Sequence, residues 1–126
     1  MKYLGIDYGS KRIGLAVSDE EGRIAFPREV VKSGGEKTLR YIERFCESEK
    51  IGAIILGQSL DYKGAPNPVQ SAIANFKLQI ESLTKLPVHY QSELWTSAEA
   101  SRNTAKLNLD ASAAALILQS YLDRRD

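Results

Sequence analysis

Three carboxylates stand where the surrounding pattern makes chemistry possible. Asp7 interrupts an apolar run that is typical of a strand, Glu93 closely follows the predicted strand that ends at Tyr90, and Asp110 lies at the opening of an alanine-rich helix. A buried carboxylate is costly without a basic neighbour or a cation. Oxygen-only ligands suit Mg²⁺ or Mn²⁺, which also recruit substrate phosphates. These acids are therefore candidate ligands of a divalent metal ion.

Spacing alone does not bring the three acids together, and each has a simpler interpretation. Asp7 could pair with Lys11 or Arg12 across a turn. Glu93 could be a solvated loop residue, and Asp110 could stabilise the first turn of its helix. Two unit charges about 4 Å apart cost on the order of 4 kcal/mol at an effective dielectric of 20. A real cluster would therefore require protonation, a basic neighbour or a bound cation.

The elements that must position these acids follow from two periodicities. Alternating apolar and polar residues predict three strands, at residues 2–8, 13–18 and 23–31. Pro27 cannot donate a ladder hydrogen bond, so the third strand should be at an edge or carry a bulge. The continuous apolar run Ile51–Leu56 predicts a strand covered on both faces, and Leu86–Tyr90 predicts a further strand. Helical spacing and capping patterns predict helices at 36–49, after Asn67-Pro68, after Thr96 and at 111–122.

This order, three strands followed by alternating helices and strands, predicts an α/β fold. A meander followed by βαβ units implies a mixed five-stranded sheet, with antiparallel strands first, parallel strands next, and helices on both faces. This order and direction of strands is that of the ribonuclease H-like fold. The length of 126 residues fits a single domain spanning 1–126.

The bulk composition excludes several classes of protein. Hydrophobic residues make up 43% and charged residues 26% of the chain, no apolar stretch is long enough to span a bilayer, and no signal-peptide pattern is present. The single Cys46 fits a core thiol in a reducing compartment. We therefore expect a cytoplasmic protein with no membrane partner. The net charge of +1 neither indicates nor excludes nucleic-acid binding.

Four segments of the sequence resemble one family. They read "LGIDYGSKRIGLAVSD" (Leu4–Asp19), "IILGQSLDYKGAPNP" (Ile54–Pro68), "YQSELWTSAEA" (Tyr90–Ala100) and "LDASAAALILQSYLDR" (Leu109–Arg124). In this order they resemble the YqgF/RuvX-type proteins, Holliday-junction resolvases and pre-16S ribosomal RNA nucleases with a ribonuclease H-like fold. The first and last segments match the family's motifs specifically, whereas the two middle segments match them only in part.

The resemblance implies the site and its chemistry. The family's acidic triad would be Asp7, Glu93 and Asp110, acting as catalytic residues and as ligands of two Mg²⁺ or Mn²⁺ ions in phosphodiester hydrolysis. The implied substrate is pre-16S ribosomal RNA, with branched DNA as the alternative. Further candidate contacts to substrate are the basic residues of turns and loops and the start of a predicted helix: Lys11, Arg12, Lys63, Thr96 and Ser97.

Departures from the family pattern leave other functions open. Ser92-Glu93-Leu94 stands where the family has Asp-Glu-Arg, so an arginine suited to clamping phosphate is absent. This loss predicts weaker binding or a different substrate. One alternative is a scaffold that binds nucleic acid without cutting it. Another is the phosphate loop of the actin–Hsp70–sugar-kinase group, which requires a second domain. The sequence does not decide between a monomer and a homodimer.

Overall fold

The computed structural model describes residues 1–58, 69–92 and 109–124, with side chains in the last segment from Ser112 onwards. Eight elements lie in these ranges. In chain order they are β1 (Tyr3–Tyr8), β2 (Arg12–Ser18), β3 (Ala25–Lys32), α1 (Gly35–Glu49), β4 (Ala53–Gln58), α2 (Val69–Thr84), β5 (Val88–Ser92) and α3 (Leu109–Arg124). The helix predicted after Thr96 lies outside the described residues.

One five-stranded sheet organises the described part of the chain, with the order β3-β2-β1-β4-β5. Strands β1, β2 and β3 form the antiparallel meander, while β4 pairs parallel to both β1 and β5. The predicted mixed sheet is therefore confirmed. Because β1, β4 and β5 run in the same direction, their carboxyl ends lie at the same edge of the sheet.

Each face of the sheet is covered by helices. On one face the alternate residues Leu4 and Ile6 of β1 belong to a core cluster that includes Ile42 of α1 and Ile73 of α2. On the other face, Tyr3 and residues of α3 form a second cluster. The side-chain amide of Gln119 ties α3 to the edge of the sheet. Its Oε1 accepts a hydrogen bond from the Ala25 N–H, and its Nε2 donates to the Arg23 carbonyl, both at 2.9 Å.

The third strand is at an edge of the sheet and is also irregular, as Pro27 predicted. Its pairing with β2 shifts register between Leu15 and Ala16, where Leu15 is opposite Glu29 and Ala16 is opposite Pro27. This bulge accommodates a residue that has no N–H to donate.

The fourth strand begins two residues later than predicted. Lys50 adopts the left-handed conformation with φ 56°, and the Ile51 N–H donates to the Cys46 carbonyl at 3.0 Å. The Lys50 N–H also donates to the carbonyls of Cys46 and Glu47. Because these bonds satisfy the last carbonyls of α1, Ile51 belongs to the end of the helix rather than to the strand. Ile51 is nevertheless buried, which explains its apolar character.

Cys46 lies in the core on α1, as expected for a structural thiol. Burial raises its pKa to about 12, so the thiol stays protonated and unreactive at neutral pH. No helix of the described residues is long and apolar enough to cross a membrane.

An ion cluster joins the end of α1 to the sheet. Glu49 accepts hydrogen bonds from Arg28 and Lys2, each with a shortest distance of 2.8 Å. These contacts lower the pKa of Glu49 from 4.5 to about 2. Its carboxylate therefore stabilises the fold above about pH 4.5, and that contribution is lost as the pH falls towards 2.

We expect Glu49→Gln to lower the free energy of unfolding by about 1–2 kcal/mol at pH 7, because solvent screens a pair so near the surface. Urea denaturation at several pH values measures this difference, which should shrink below pH 4.5 and vanish near pH 2. The matched control is Glu47→Gln, on an exposed position of the same helix. Equal losses in both variants, or a difference independent of pH, would contradict the assignment.

Candidate active site

Asp7 lies near the carboxyl end of β1, the central strand. Tyr3 packs against α3, and alternate residues of a strand share a face, so Asp7 is on the face that α3 covers. Its side chain is half-buried. The strand pattern places this carboxylate at the sheet edge where the parallel strands end, an edge at which α/β proteins commonly bind ligands.

Glycines flank Asp7 on both neighbouring strands. Gly14 of β2 is its direct partner. On the other side, β1 and β4 are paired as far as Ile6 and Leu56, and the same register brings Gly57 beside Asp7. Neither neighbour carries a side chain that could fill the space around the carboxylate. The sequence analysis did not single out these glycines, although a glycine within a strand often marks a site of close approach.

The final helix packs unusually close to the strand that carries Asp7. A Cβ added to Gly5 would lie 2.7 Å from the Leu118 Cβ and 3.0 Å from the Ala114 carbonyl oxygen. Both distances are shorter than a methyl group tolerates, so only glycine allows this approach. Gly5 therefore brings the α3 backbone down onto β1 two residues before Asp7.

The helix runs antiparallel to β1. Tyr121 contacts Tyr3, with ring centroids 6.0 Å apart, whereas Ala114 and Leu118 contact Gly5. From Gly5 to Asp7 the strand advances about 6.6 Å, and one helical turn before Ala114 advances about 5.4 Å. The backbone of Asp110, one turn before Ala114, is therefore at the level of Asp7.

The other predicted acid follows the end of β5. That strand continues to Ser92, two residues beyond its predicted end, so Glu93 is the next residue in the chain. Glu93 itself lies outside the described residues, as do Lys63, Thr96 and Ser97, and only the backbone of Asp110 is described. No cluster of three metal-binding side chains occurs within the described residues. The meeting of the three acids therefore stays a prediction.

Two buried hydroxyl groups border these positions. Ser92 Oγ precedes Glu93, and Ser112 Oγ follows Asp110 by two residues; within the described structure neither has a hydrogen-bond partner. Buried polar atoms without a partner commonly mark a place for a water molecule or an ion. The carboxylate of Asp7 supplies the oxygen donors that hard divalent cations prefer. Ser92 shares the face of Val88 and Tyr90, opposite that of Asp7, so its hydroxyl is not part of the same donor set.

The predicted basic contacts that the structure describes lie at the same end of the sheet. Lys11 is exposed in the β1–β2 turn, and its carbonyl accepts a hydrogen bond from the Ser33 N–H at 2.9 Å. Arg12 begins β2, is exposed, and shares a face with Gly14 and hence with Asp7. Both residues are therefore near the candidate site.

The fold and this arrangement define a ribonuclease H-like α/β protein with a carboxylate on its central strand. The fold resembles that of Thermus thermophilus RuvC, with a TM-score of 0.67, 18% identity, and coverage of 99% of this chain and 96% of that one. It also resembles the fowlpox virus Holliday junction resolvase, with a TM-score of 0.61, 16% identity and full coverage of both chains. The predicted fold class is confirmed.

The sequence matches the family described as "RuvX: Holliday junction resolvase" over residues 1–124. A protein of Maridesulfovibrio salexigens named "Putative pre-16S rRNA nuclease" is 33% identical, covering 98% of this chain and 99% of its own. A protein of the same name from Nitratidesulfovibrio vulgaris is 35% identical, with coverage of 98% and 94%. The chain therefore belongs to the RuvX family of nucleases.

Proposed function

We propose that this chain, as a single domain spanning 1–126, is a metal-dependent nuclease that acts in the cytoplasm on the 5′ end of pre-16S ribosomal RNA. The observation that carries the proposal is the position of Asp7. It lies between two glycines, at the level where the final helix begins. The names of the curated relatives support the substrate.

The proposed catalytic residues are Asp7, Glu93 and Asp110, which would hold Mg²⁺ or Mn²⁺ through their carboxylates. When bound, such ions neutralise phosphate charge and lower the pKa of water. The chain's own contribution is to fix the positions of the carboxylates. The sheet holds Asp7, while the Gly5 contact sets the level of the helix that carries Asp110.

Substrate binding is assigned to the groups around this centre. Lys11 and Arg12 would contact phosphates on one side, and their exposure at the carboxyl end of β1 supports this role. Lys63 and the backbone N–H groups of Thr96 and Ser97 are proposed as further contacts, on the strength of the family resemblance and the predicted helix start. Phosphate contacts of this kind supply affinity rather than sequence recognition.

Cleavage assays with defined substrates test this function. Wild-type protein with Mn²⁺ or Mg²⁺ should cut an RNA that spans the 5′ end of 16S ribosomal RNA, and a chelator should abolish the activity. The family description favours a second candidate, resolution of four-way DNA junctions. Cleavage of a four-way junction alone would support that candidate, whereas binding without cleavage of either substrate would support a scaffold.

A further inference from the structure

A row of positive charge leads away from Asp7 towards the edge of the sheet. Arg12 is directly opposite Lys32 on the edge strand β3, and both are exposed. By strand alternation they share the face of Asp7. An anionic chain that crosses both residues would therefore meet two positively charged side chains.

Around the edge of the sheet from Lys32, on the face opposite Asp7, the surface opens into a cavity between β3 and α1. Its volume is about 610 Å³, within the range of about 300–1,000 Å³ found for ligand pockets. We call it the lysine–tyrosine cavity. The residues that line it include Glu29, Lys32, Ser33, Lys37, Thr38 and Tyr41. Lys32 and Lys37 are both exposed, and neither has an ion pair within the described part of the chain.

Tyr41 gives the cavity an aromatic wall of fixed orientation. Its hydroxyl donates a hydrogen bond to Glu29 Oε1 at 2.6 Å, and the residue keeps 41% of its surface exposed. An exposed aromatic ring that is held in place offers a stacking platform for a base. Of the acidic groups nearby, Glu36 pairs with Arg40, whereas Glu29 keeps its negative charge. Phosphates are therefore assigned to the lysines, and only a base is assigned to the Tyr41 end of the cavity.

We propose that a single strand of nucleic acid runs from Asp7 across Arg12 and Lys32 and then around the edge strand β3 into the lysine–tyrosine cavity. There Lys32 and Lys37 contact phosphates, and a base stacks on Tyr41. Two strand spacings and two residues of rise separate Asp7 from Lys32, about 12 Å, a span that a few nucleotides cover. This inference rests on the proposed nuclease function and specifies its substrate. It requires unpaired bases beside the cleavage site, since a base in a duplex cannot stack on a side chain.

Binding measurements on an inactive background test the proposal. Asp7→Asn protein would be titrated with a labelled single-stranded RNA and with the same sequence as a duplex, at several salt concentrations. Lys32→Gln and Lys37→Gln should each lower the slope of log affinity against log salt by about 0.7. The control Lys85→Gln changes an exposed lysine next to the start of β5, at the opposite end of the sheet, and should leave the slope unchanged.

Substitutions of Tyr41 separate stacking from charge. Tyr41→Leu should weaken single-strand binding by about 5- to 150-fold without changing the salt slope, because stacking carries no net charge. Tyr41→Phe keeps the ring and should retain most of the affinity, although it loses the bond to Glu29. The duplex should bind equally well to the wild type and to the Tyr41→Leu variant, so that this substitution affects binding of the single strand alone.

The outcomes distinguish this proposal from the proposed function. If the wild type cleaves RNA and the Lys32, Lys37 and Tyr41 variants bind it unchanged, the proposed path of the single strand is refuted and the proposed nuclease function is not. Tighter binding of the duplex than of the single strand would also overturn that path. If binding depends on these three residues but the protein cleaves no RNA, the proposed path of the single strand is supported and the proposed nuclease function is refuted. Failure to bind RNA at all would refute both.

Discussion

Replacing Asp7 by asparagine is expected to lower metal-dependent cleavage by about a thousandfold or more. A divalent ion contributes several kcal/mol of charge stabilisation in the transition state, and each 1.36 kcal/mol is worth a factor of ten in rate. Asparagine keeps the size of the side chain but loses its charge, so the cation loses the ligand that the sheet holds most firmly. Turnover of the RNA substrate with Mn²⁺ measures this effect.

A thermal-shift measurement separates loss of metal binding from loss of fold. At a Mn²⁺ concentration of 100 times the dissociation constant, the wild type should gain about 2.7 kcal/mol of stability. Asp7→Asn should gain much less, while a cooperative unfolding transition without metal shows that the variant is still folded. Asp123→Asn is the matched control, since Asp123 is exposed at the far end of α3. Full activity and an unchanged shift in Asp7→Asn would refute the assignment.

Gly5→Ala is expected to damage both stability and activity. The new methyl group would lie 2.7 Å from the Leu118 Cβ and 3.0 Å from the Ala114 carbonyl oxygen, so α3 must move away from β1. Overpacking of this kind costs about 1–3 kcal/mol. Because α3 carries Asp110, a displacement of about 1 Å should also reduce turnover by about 100-fold. Urea denaturation and initial rates measure the two effects.

Companion variants locate the cause of this loss. Gly34→Ala places a Cβ no closer than 3.3 Å to its neighbours and serves as the stability control for adding a methyl group to a glycine. Leu118→Ala should not rescue Gly5→Ala, because alanine retains the Cβ that is contacted. A Gly5→Ala protein as stable and as active as the wild type would show that the close approach of α3 is not required.

Local pattern was sufficient to predict the elements that the structure describes and their order. The alternation in β1 and β2 and the helical stripe of α1 each arise from residues that are near one another in the sequence. Pro27 predicted an edge or a bulge because a missing N–H is a local property, and both are present. The predicted start of β4 was wrong because Ile51 is apolar for a reason other than membership of the strand. It is buried while it closes the end of α1.

The register between strands that are distant in the sequence could not be predicted from the sequence. Gly14 and Gly57 become neighbours of Asp7 only when three strands are aligned, and no local pattern fixes that alignment. Similarly, Lys32 and Tyr41 line one cavity because β3 and α1 pack together, although each looks like an ordinary surface residue in the sequence. The acids were identifiable because their type and position are unusual, whereas the surroundings that make Asp7 useful were not.

The bond between Ala25 and Gln119 joins positions 94 residues apart. During translation at about 5–20 residues per second, the β-meander would therefore emerge roughly 5–20 seconds before the helix that covers it. Until then the nascent chain lacks Asp110 and the helix that covers its central strand. We therefore expect the enzyme to be unable to cut until its final helix has been synthesised.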